Sequence, residues 1–534
     1  MPTLNWIGKD KVINHHQQVP YHLLRHKYGF SQDTGETNTP TGSGNMIIHG
    51  DNLVALKSLL PIYEGRIKCI YIDPPYNTGN EGWVYNDNVN DPRILKWLGE
   101  VVGKEGEDFS RHDKWLCMMY PRLVLLKKLL ADDGAIFISI DDNEQANLKL
   151  ICDEIFGANR FKTDIVWQKR YTRSNNTVDF TTVVEHILVY SKNEFVVNLL
   201  PRTEEADKRY TNPDNDPRGP WKGKSFLNPA KPEQRANLCY TIENPNTLEK
   251  IVNPKTNAWR VQKSTYEELK RDNRLYWGKD GKSKIPIIKM FLSEARGLTP
   301  INFWDHEYAG NTDNGTSDLQ EVIGEKVFEN PKPVRLIQRV LEHCTNPQNN
   351  DIILDSFAGS GTTAHAILSK NKEDNGNRKF ILVEMGDYAN TITAERVKRV
   401  INGYGSESKP VLGTGGSFDF YELGEPLYDT NGNLNEKVGE DAIRNYVYYT
   451  ETRQQLTRQR TEEERYLMDV YADTAYYFYY EPNEFTTLRR ETLDIVKQKA
   501  EQYIIYADVC LLDDDFKKRN NIIFKKIPRD IKHF

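Results

Sequence analysis

The chain has 534 residues, more than one hydrophobic core supports, and roughly two to four domains are expected. Hydrophobic residues at 38% and charged residues at 28% exclude a disordered chain, and no apolar run reaches the length of a membrane helix. A net charge of −6 excludes a globally basic nucleic-acid binder, leaving room for a local basic patch.

In chain order, residues 1–45 are polar and end in the turn-rich TGETNTPTGSGN, which predicts an arm and a linker. MIIHGDN (46–52) predicts a short strand running into Asp51, followed by an amphipathic helix through Leu60. RIKCIYID (66–73) is a second strand, and residues 80–111 a loop with a short helix. HDKWLCMMYPRLVLLKKLLADDG (112–134) has helical periodicity up to Gly134, and AIFISID (135–141) is a third strand before another helix. DIVWQ (164–168) and HILVYSK (186–192) read as paired strands around a polar loop. The alternation of strand and helix predicts a mostly parallel α/β sheet. It breaks at about 194–300, where the chain turns rich in Pro and Asn. It resumes with DIILD (351–355), a helix from Thr362 and KFILVE (379–384). Beyond GTGGSFDF, read as a glycine-rich joint, the tail is tyrosine-rich and predicted to be mainly helical. Six cysteines without a CxxC pair argue against a disulfide framework or structural zinc. With no signal-peptide pattern, the cytoplasm is the expected compartment.

Two stretches carry chemistry. DIILDSFAGSGTT (351–363) is a strand, a glycine-rich turn and a helix start, in which the backbone can approach a ligand closely and helix N–H groups are available to it. No GK[ST] follows, so it is not a phosphate-binding Walker loop. Glu384 ends the next strand, where an acid can hold ribose hydroxyls; on this motif alone NAD and S-adenosylmethionine remain equal, and a ligand-free turn competes with both. The other stretch is CIYIDPPYNTG (69–79), a buried-looking strand that runs into a carboxylate. The exocyclic amine of adenine is a poor nucleophile because its lone pair is delocalised. Asp73 and the Pro74 carbonyl could accept its two N–H groups and offset the positive charge that grows during methyl transfer. Tyr76 could stack on the base, which must leave the duplex to get there. The competing account is an ordinary loop in which Asp73 caps a turn.

IDPPYNTG with FAGSGTT resembles the amino-group DNA methyltransferases of the β arrangement, in which the catalytic motif precedes the cofactor motif and a target-recognition region lies between. Asp at position 73 resembles the N6-adenine enzymes more than the N4-cytosine ones. HGDN (49–52), RHDKWLCMMYPRL (111–123), GAIFISIDDNE (134–144), DNDPRGPW (214–221), NGTSDL (314–319) and NPKPVRLI (330–337) extend the similarity to the modification subunits of type III restriction–modification systems. The resemblance implies a Rossmann-like methyltransferase sheet, mostly parallel with an antiparallel pair near one edge. It implies an N-terminal arm (1–45), a catalytic half (46–193), a target-recognition insert (194–300), a cofactor-binding half (301–425) and a mainly helical C-terminal region (426–534). It implies S-adenosylmethionine as cofactor, with Phe357, Ala358, Gly359 and Gly361 lining it and Glu384 on its ribose. Asp51 would lie near its adenine, Thr362 and Lys332 near its methionine end, and Asp73 and Asp355 at its border. Asp73, Pro74, Pro75 and Tyr76 form the implied catalytic segment. No metal is required, since a sulfonium leaving group departs unaided.

For DNA, residues 255–289 hold ten Lys or Arg against four Asp or Glu, with Trp259, Tyr266, Tyr276 and Trp277 interleaved. This suits phosphate contacts and base stacking, with Lys255, Arg260 and Lys263 as candidates; a solvated charged face is the alternative for any single lysine. Arg170, Arg173 and Asn175 in KRYTRSNN (169–176) could reach base edges. His112 lacks metal-ligand spacing and reads as structural or DNA-facing. The expected partners are double-stranded DNA, a second copy in a homodimer and a helicase–nuclease subunit. Two other readings stay open: a specificity subunit that directs such a partner, and an N4-cytosine methyltransferase.

Overall fold

The computed structural model describes residues 3–78, 111–173, 180–429, 432–482 and 484–528, together with Lys96. The loop and short helix expected over 80–111 otherwise lie outside the described residues, apart from Arg111.

Eleven strands form the main sheet: β1 (His22–Ser31), β2 (Gly35–Thr37), β3 (Met46–His49), β4 (Ile67–Ile72), β5 (Leu130–Ile140), β6 (Phe161–Gln168), β7 (Val184–Ser191), β8 (Phe303–Trp304), β9 (Ile352–Asp355), β10 (Lys379–Glu384) and β11 (Ser417–Pro426). Their order is β8-β6-β7-β5-β4-β9-β10-β3-β11-β1-β2. The central run from β5 to β11 is parallel throughout. β7 is antiparallel to both of its neighbours, so the antiparallel element near one edge is present as expected.

The central strands are apolar on both faces because helices cover both. Side chains alternate between two cores. Ile70, Ile72, Leu354, Ile381 and Val383 face one side with helices α1 (Asn52–Tyr63) and α2 (Arg111–Leu129). Cys69, Tyr71, Ile353, Phe380 and Leu382 face the other, with α5 (Val334–Cys344), α6 (Thr362–Asp374) and α7 (Glu395–Asn402). Two further helices matter below: α3 (Gln145–Cys152) and α4 (Thr312–Ile323).

β4 and β9 are neighbours although almost 280 residues separate them in the chain. From β4 the sheet continues to β5; from β9 it continues in the opposite direction to β10. Strand order therefore reverses between β4 and β9, and the carboxyl ends there open the crevice in which such sheets bind ligands.

Two expectations are corrected. The N-terminal segment is not only an arm: β1 pairs antiparallel with β11 and β2 with β1, extending the sheet past β3. The stretch read as a glycine-rich joint leads straight into β11. The mixed polar face of β1 hid it, since Arg25 and Lys27 both pair with Glu422 across the strands. The C-terminal region is not mainly helical. It has one long helix, α8 (Glu440–Thr452), beside a four-stranded sheet of Leu467–Tyr471, Thr474–Phe478, Gln502–Ala507 and Ile522–Lys526. Its tyrosine run is a strand whose residues are all buried, as aromatic residues favour.

Residues Asn198–Pro300 form a compact unit of their own. Phe226, Trp259, Tyr266, Trp277 and Ile288 make its core beside a three-stranded sheet. Lys289, buried, is neutralised by Asp214 and Asp216 of the DNDPRGPW motif. Leu200 and Leu298 bridge in antiparallel fashion, so the unit begins and ends at one place. No helix among the described residues is long and apolar enough to cross a membrane.

Candidate active site

Asp73 follows the last residue of β4 at the crevice. Its Oδ2 accepts from Lys332 Nζ at 2.8 Å, and its Oδ1 lies 2.8 Å from the Tyr76 hydroxyl. The same hydroxyl lies 3.1 Å from Glu185 Oε2, and Glu185 Oε1 accepts from Lys169 Nζ at 3.0 Å. Lys332 Nζ is also 3.6 Å from Glu185 and stands 4.9 Å from the centroid of the Tyr76 ring. Burial raises the pKa of Asp73 above the usual carboxylate range, against the pull of Lys332. Burial works in the same direction on Glu185, but Lys332 and Lys169 together hold it below its ordinary value. Two carboxylates a few ångströms apart thus differ in proton affinity because Glu185 has the second cation.

The segment after Asp73 is held from below. The Pro75 carbonyl accepts from the Trp115 indole at 2.6 Å. Asn77 has a left-handed backbone, φ 60°, and its amide donates to Glu144 Oε1 at 2.5 Å. His112 Nδ1 sits 2.6 Å from the same oxygen, and Asn147 donates to the other at 2.8 Å. Glu144 is 0% exposed, so these partners replace its water. A cavity of about 170 Å³ opens over the segment, lined by Asp73, Tyr76, Trp167, Lys169, Arg170, Glu185 and Lys332 among others.

A second cleft, lined by Phe328, Asp355, Phe357, Ala358, Gly359 and Thr362, adjoins the first; Asp73, Asn330, Pro331 and Lys332 line both. The loop between β9 and α6 turns through Gly359 (φ 51°) and Gly361 (φ 80°), a backbone region that favours glycine. α6 starts at Gly361 with no side-chain cap, leaving its first N–H groups to a ligand or solvent. Asp355 accepts from the Phe357 N–H at 3.0 Å and the Thr363 hydroxyl at 2.5 Å, and burial pushes its pKa up to about 7. Beneath the loop, buried Arg396 donates to Thr362 Oγ at 2.8 Å and Ser360 Oγ at 3.0 Å.

Residues 67–395 match the family model described as DNA methylase. The chain belongs to this family. Among curated proteins, the type III restriction–modification enzyme StyLTI Mod subunit of Salmonella typhimurium is 37% identical over 64% of this chain and 52% of its own length. The EcoPI Mod subunit of Escherichia phage P1 is 32% identical over 73% of this chain and 64% of its own. The type II methyltransferase M.KpnI of Klebsiella pneumoniae is 30% identical over 68% of this chain and 85% of its own. The chain spans about half to two thirds of the length of those two Mod subunits.

The crevice brings together Asp73, Tyr76, Lys332, Asp355, Phe357, Ala358, Gly359 and Thr362, with Gly361 as the residue before α6. Pro74 and Pro75 are buried behind Asp73. Two other residues expected at the cofactor, Asp51 and Glu384, have protein partners of their own. Asp51 caps α1, accepting from the Leu53 and Val54 N–H groups, and does not line the second cleft. Glu384 accepts from the Gly359 and Gly386 N–H groups at 2.7 and 2.8 Å, so it holds the glycine loop. Lys332 is on Asp73 itself. Asn52 ties the HGDN motif to the loop by donating to the Ser356 carbonyl at 2.8 Å, and Arg122 donates to Asn52 in turn.

Of the expected DNA residues, Arg170 lines the first cavity, Arg173 is exposed, and Asn175 lies outside the described residues. Lys255 and Lys263 are exposed on the insert, but Arg260 donates to the Ser225 and Leu227 carbonyls. Trp259, Tyr266 and Trp277 are not stacking platforms; they are the insert's core, which is why basic and aromatic residues alternate there. Glu185 was missed. Its signal was a carboxylate in register with Ile187 and Val189, which face the core from β7.

Proposed function

We propose that this methylase transfers a methyl group from S-adenosylmethionine to N6 of an adenine flipped out of duplex DNA, as the modification component of a restriction–modification system. The observation that carries this reading is the meeting of the two clefts at Asp73, one lined by the glycine loop and the other by Tyr76 and Glu185.

The residues of the second cleft fit the cofactor: aromatic rings (Phe328, Phe357) for a flat base, uncapped helix N–H groups for a carboxylate, and the Asp73 and Asp355 side chains near a cationic centre. When bound, the sulfonium supplies an electrophilic methyl group. Asp73 accepts one N–H of the target amine, and the Pro74 carbonyl, set in direction by its ring, accepts the other. Together they draw the lone pair out of conjugation and offset the positive charge that develops on nitrogen. With Pro75 committed to Trp115, the Pro74 carbonyl is the acceptor assigned to this step. Tyr76 stacks on the base while its hydroxyl stays on the two carboxylates. The raised proton affinity of Asp73 suits it to receive the proton that the methylated amine releases.

Duplex DNA is the substrate, with base-edge contacts from Arg170 and Arg173 and phosphate contacts from Lys255 and Lys263. A homodimer, a helicase–nuclease partner and action in the cytoplasm are part of this proposal, and the relatives named as subunits of restriction–modification enzymes support a partner chain. The test is to express the chain, sequence the host DNA by a method that separates N6-methyladenine from N4-methylcytosine, and repeat with Asp73→Ala. N6-methyladenine at a defined site, absent from the variant, is expected. Methylcytosine, or unchanged modification in the variant, would overturn the reading.

A further inference from the structure

The carboxylate assigned to the target amine already has two donors: Lys332 on Oδ2 and Tyr76 on Oδ1. An amine N–H that approaches Asp73 competes with these donors for its oxygens. Tyr76 is buried and packs in the core, whereas Lys332 arrives on a flexible stem and has a second acceptor, Glu185 Oε2, 3.6 Å away. The ammonium also lies 4.9 Å from the Tyr76 ring centroid, in the region a stacked base needs, and Lys332 lines both clefts, where base and methyl donor must meet. A cation at that junction is repelled by a bound sulfonium, which favours its departure once the donor is in place.

We infer that in the DNA-free protein the Lys332 ammonium fills the place at Asp73 that the target amine takes in the complex, and that base entry transfers it to Glu185. This deepens the adenine-N6 reading and rests on it. Lys332 is then a placeholder. It keeps a buried carboxylate neutralised until a substrate donor replaces it, and a base without an amine at that position cannot displace it. Glu185, held by Lys169 and 3.1 Å from the Tyr76 hydroxyl, is the receiving acceptor. The transfer breaks one N–H···O contact and forms another with no change of charge, so Lys332 acts as a positioning residue that discriminates for the amine.

The experiment uses the full chain, without cofactor, on a duplex bearing its recognition site as located by the sequencing above. 2-Aminopurine beside the target base reports its extrusion by a rise in fluorescence. The target is either adenine or purine, which lacks the 6-amino group, and the quantity read is the ratio of flipped adenine to flipped purine. Lys332→Met is expected to lower this ratio at least threefold, because purine then enters with no ammonium to displace. Glu185→Gln is expected to lower it at least threefold, because the ammonium loses its alternative. Should Lys332→Met fail to fold, Lys332→Gln is read in the same assay with the same direction expected. A ratio unmoved or raised by the Lys332 variant, with N6-methyladenine formed by the wild-type protein, overturns the inference alone. Absence of N6-methyladenine from the wild type overturns the parent reading as well.

Discussion

Asp73 differs from a surface acid in two respects: it is enclosed, and its charge is balanced by one cation that another carboxylate also attracts. Asp73→Asn keeps the size and one acceptor oxygen but removes the negative charge that offsets the developing aminium. Methyl transfer is expected to fall about 100- to 1000-fold, the scale for losing one group aimed at transition-state charge. DNA affinity should stay within about twofold, since charge stabilisation at nitrogen contributes little to binding the duplex. Labelled-methyl incorporation and a gel-shift titration on one preparation separate the two quantities, and near-normal transfer would remove Asp73 from the mechanism. Asp355 supports a different test. With its pKa raised by burial to about 7 from 3.8, the folded protein keeps a proton that the unfolded chain releases between those values. Stability contributed by this group is therefore complete below pH 3.8 and declines as pH rises through 7. Asp355→Asn removes that dependence. Relative to wild type, the cofactor-free variant should gain stability between pH 5 and pH 8, by at most on the order of 3 kcal/mol, since about two pKa units of the shift titrate in that window. Melting curves at the two pH values check it; an equal shift at both sinks it.

α4 sets the position of Lys332. Its N-terminus carries a reciprocal cap between Asn311 and Asn314, and the Thr312 N–H donates to the Lys169 carbonyl, tying the helix to the end of β6. Asp318 accepts from the Val334 N–H at 2.9 Å, fixing the segment that enters α5. Gly315 lets the helix lie against that segment: a Cβ there would stand 1.9 Å from the Pro331 carbonyl oxygen. Gly315→Ala must push α4 and residues 330–333 apart, at a cost of about 1–3 kcal/mol, displacing Lys332 from Asp73. A lower melting temperature together with reduced transfer is expected, and unchanged values for both would show the segment to be freely adjustable. The motif NGTSDL was visible in the sequence, but its purpose was not, because the glycine faces a backbone sixteen residues later rather than a ligand. β4, β9 and β10 were more legible. Apolar runs ending in acids marked them, and the two pockets adjoin as their motifs implied. β1 could not be read, because its polar residues pair with Glu422 almost 400 positions away, and no local period reports such a partner.

At the scale of the whole molecule, the insert's residues mislead when taken singly and inform when taken together. Its aromatics fold inward, Arg260 is used on carbonyls, and the Asp214–Asp216–Lys289 cluster is internal, so much of the patterning read as recognition is the insert's own stability. The excess of six positive charges over 255–289, ten basic against four acidic residues, counts Arg260 and Lys289 among the ten, and of the expected DNA contacts there Lys255 and Lys263 remain exposed. Leu200 and Leu298 donate to each other's carbonyls at 2.9 and 2.8 Å, so the two ends of the insert are already joined by backbone hydrogen bonds. Replacing residues 201–297 by a short Gly/Ser turn therefore spans almost no distance, and the sheet, with its own two cores, loses none of its strands. The shortened chain is expected to fold and to bind S-adenosylmethionine within about threefold of the intact protein by calorimetry. Its DNA affinity should drop at least tenfold, and the dependence of that affinity on salt should flatten, because fewer counterions are released from the duplex. A shortened chain that binds the cofactor yet keeps both its affinity and its salt slope would place DNA recognition elsewhere in the molecule.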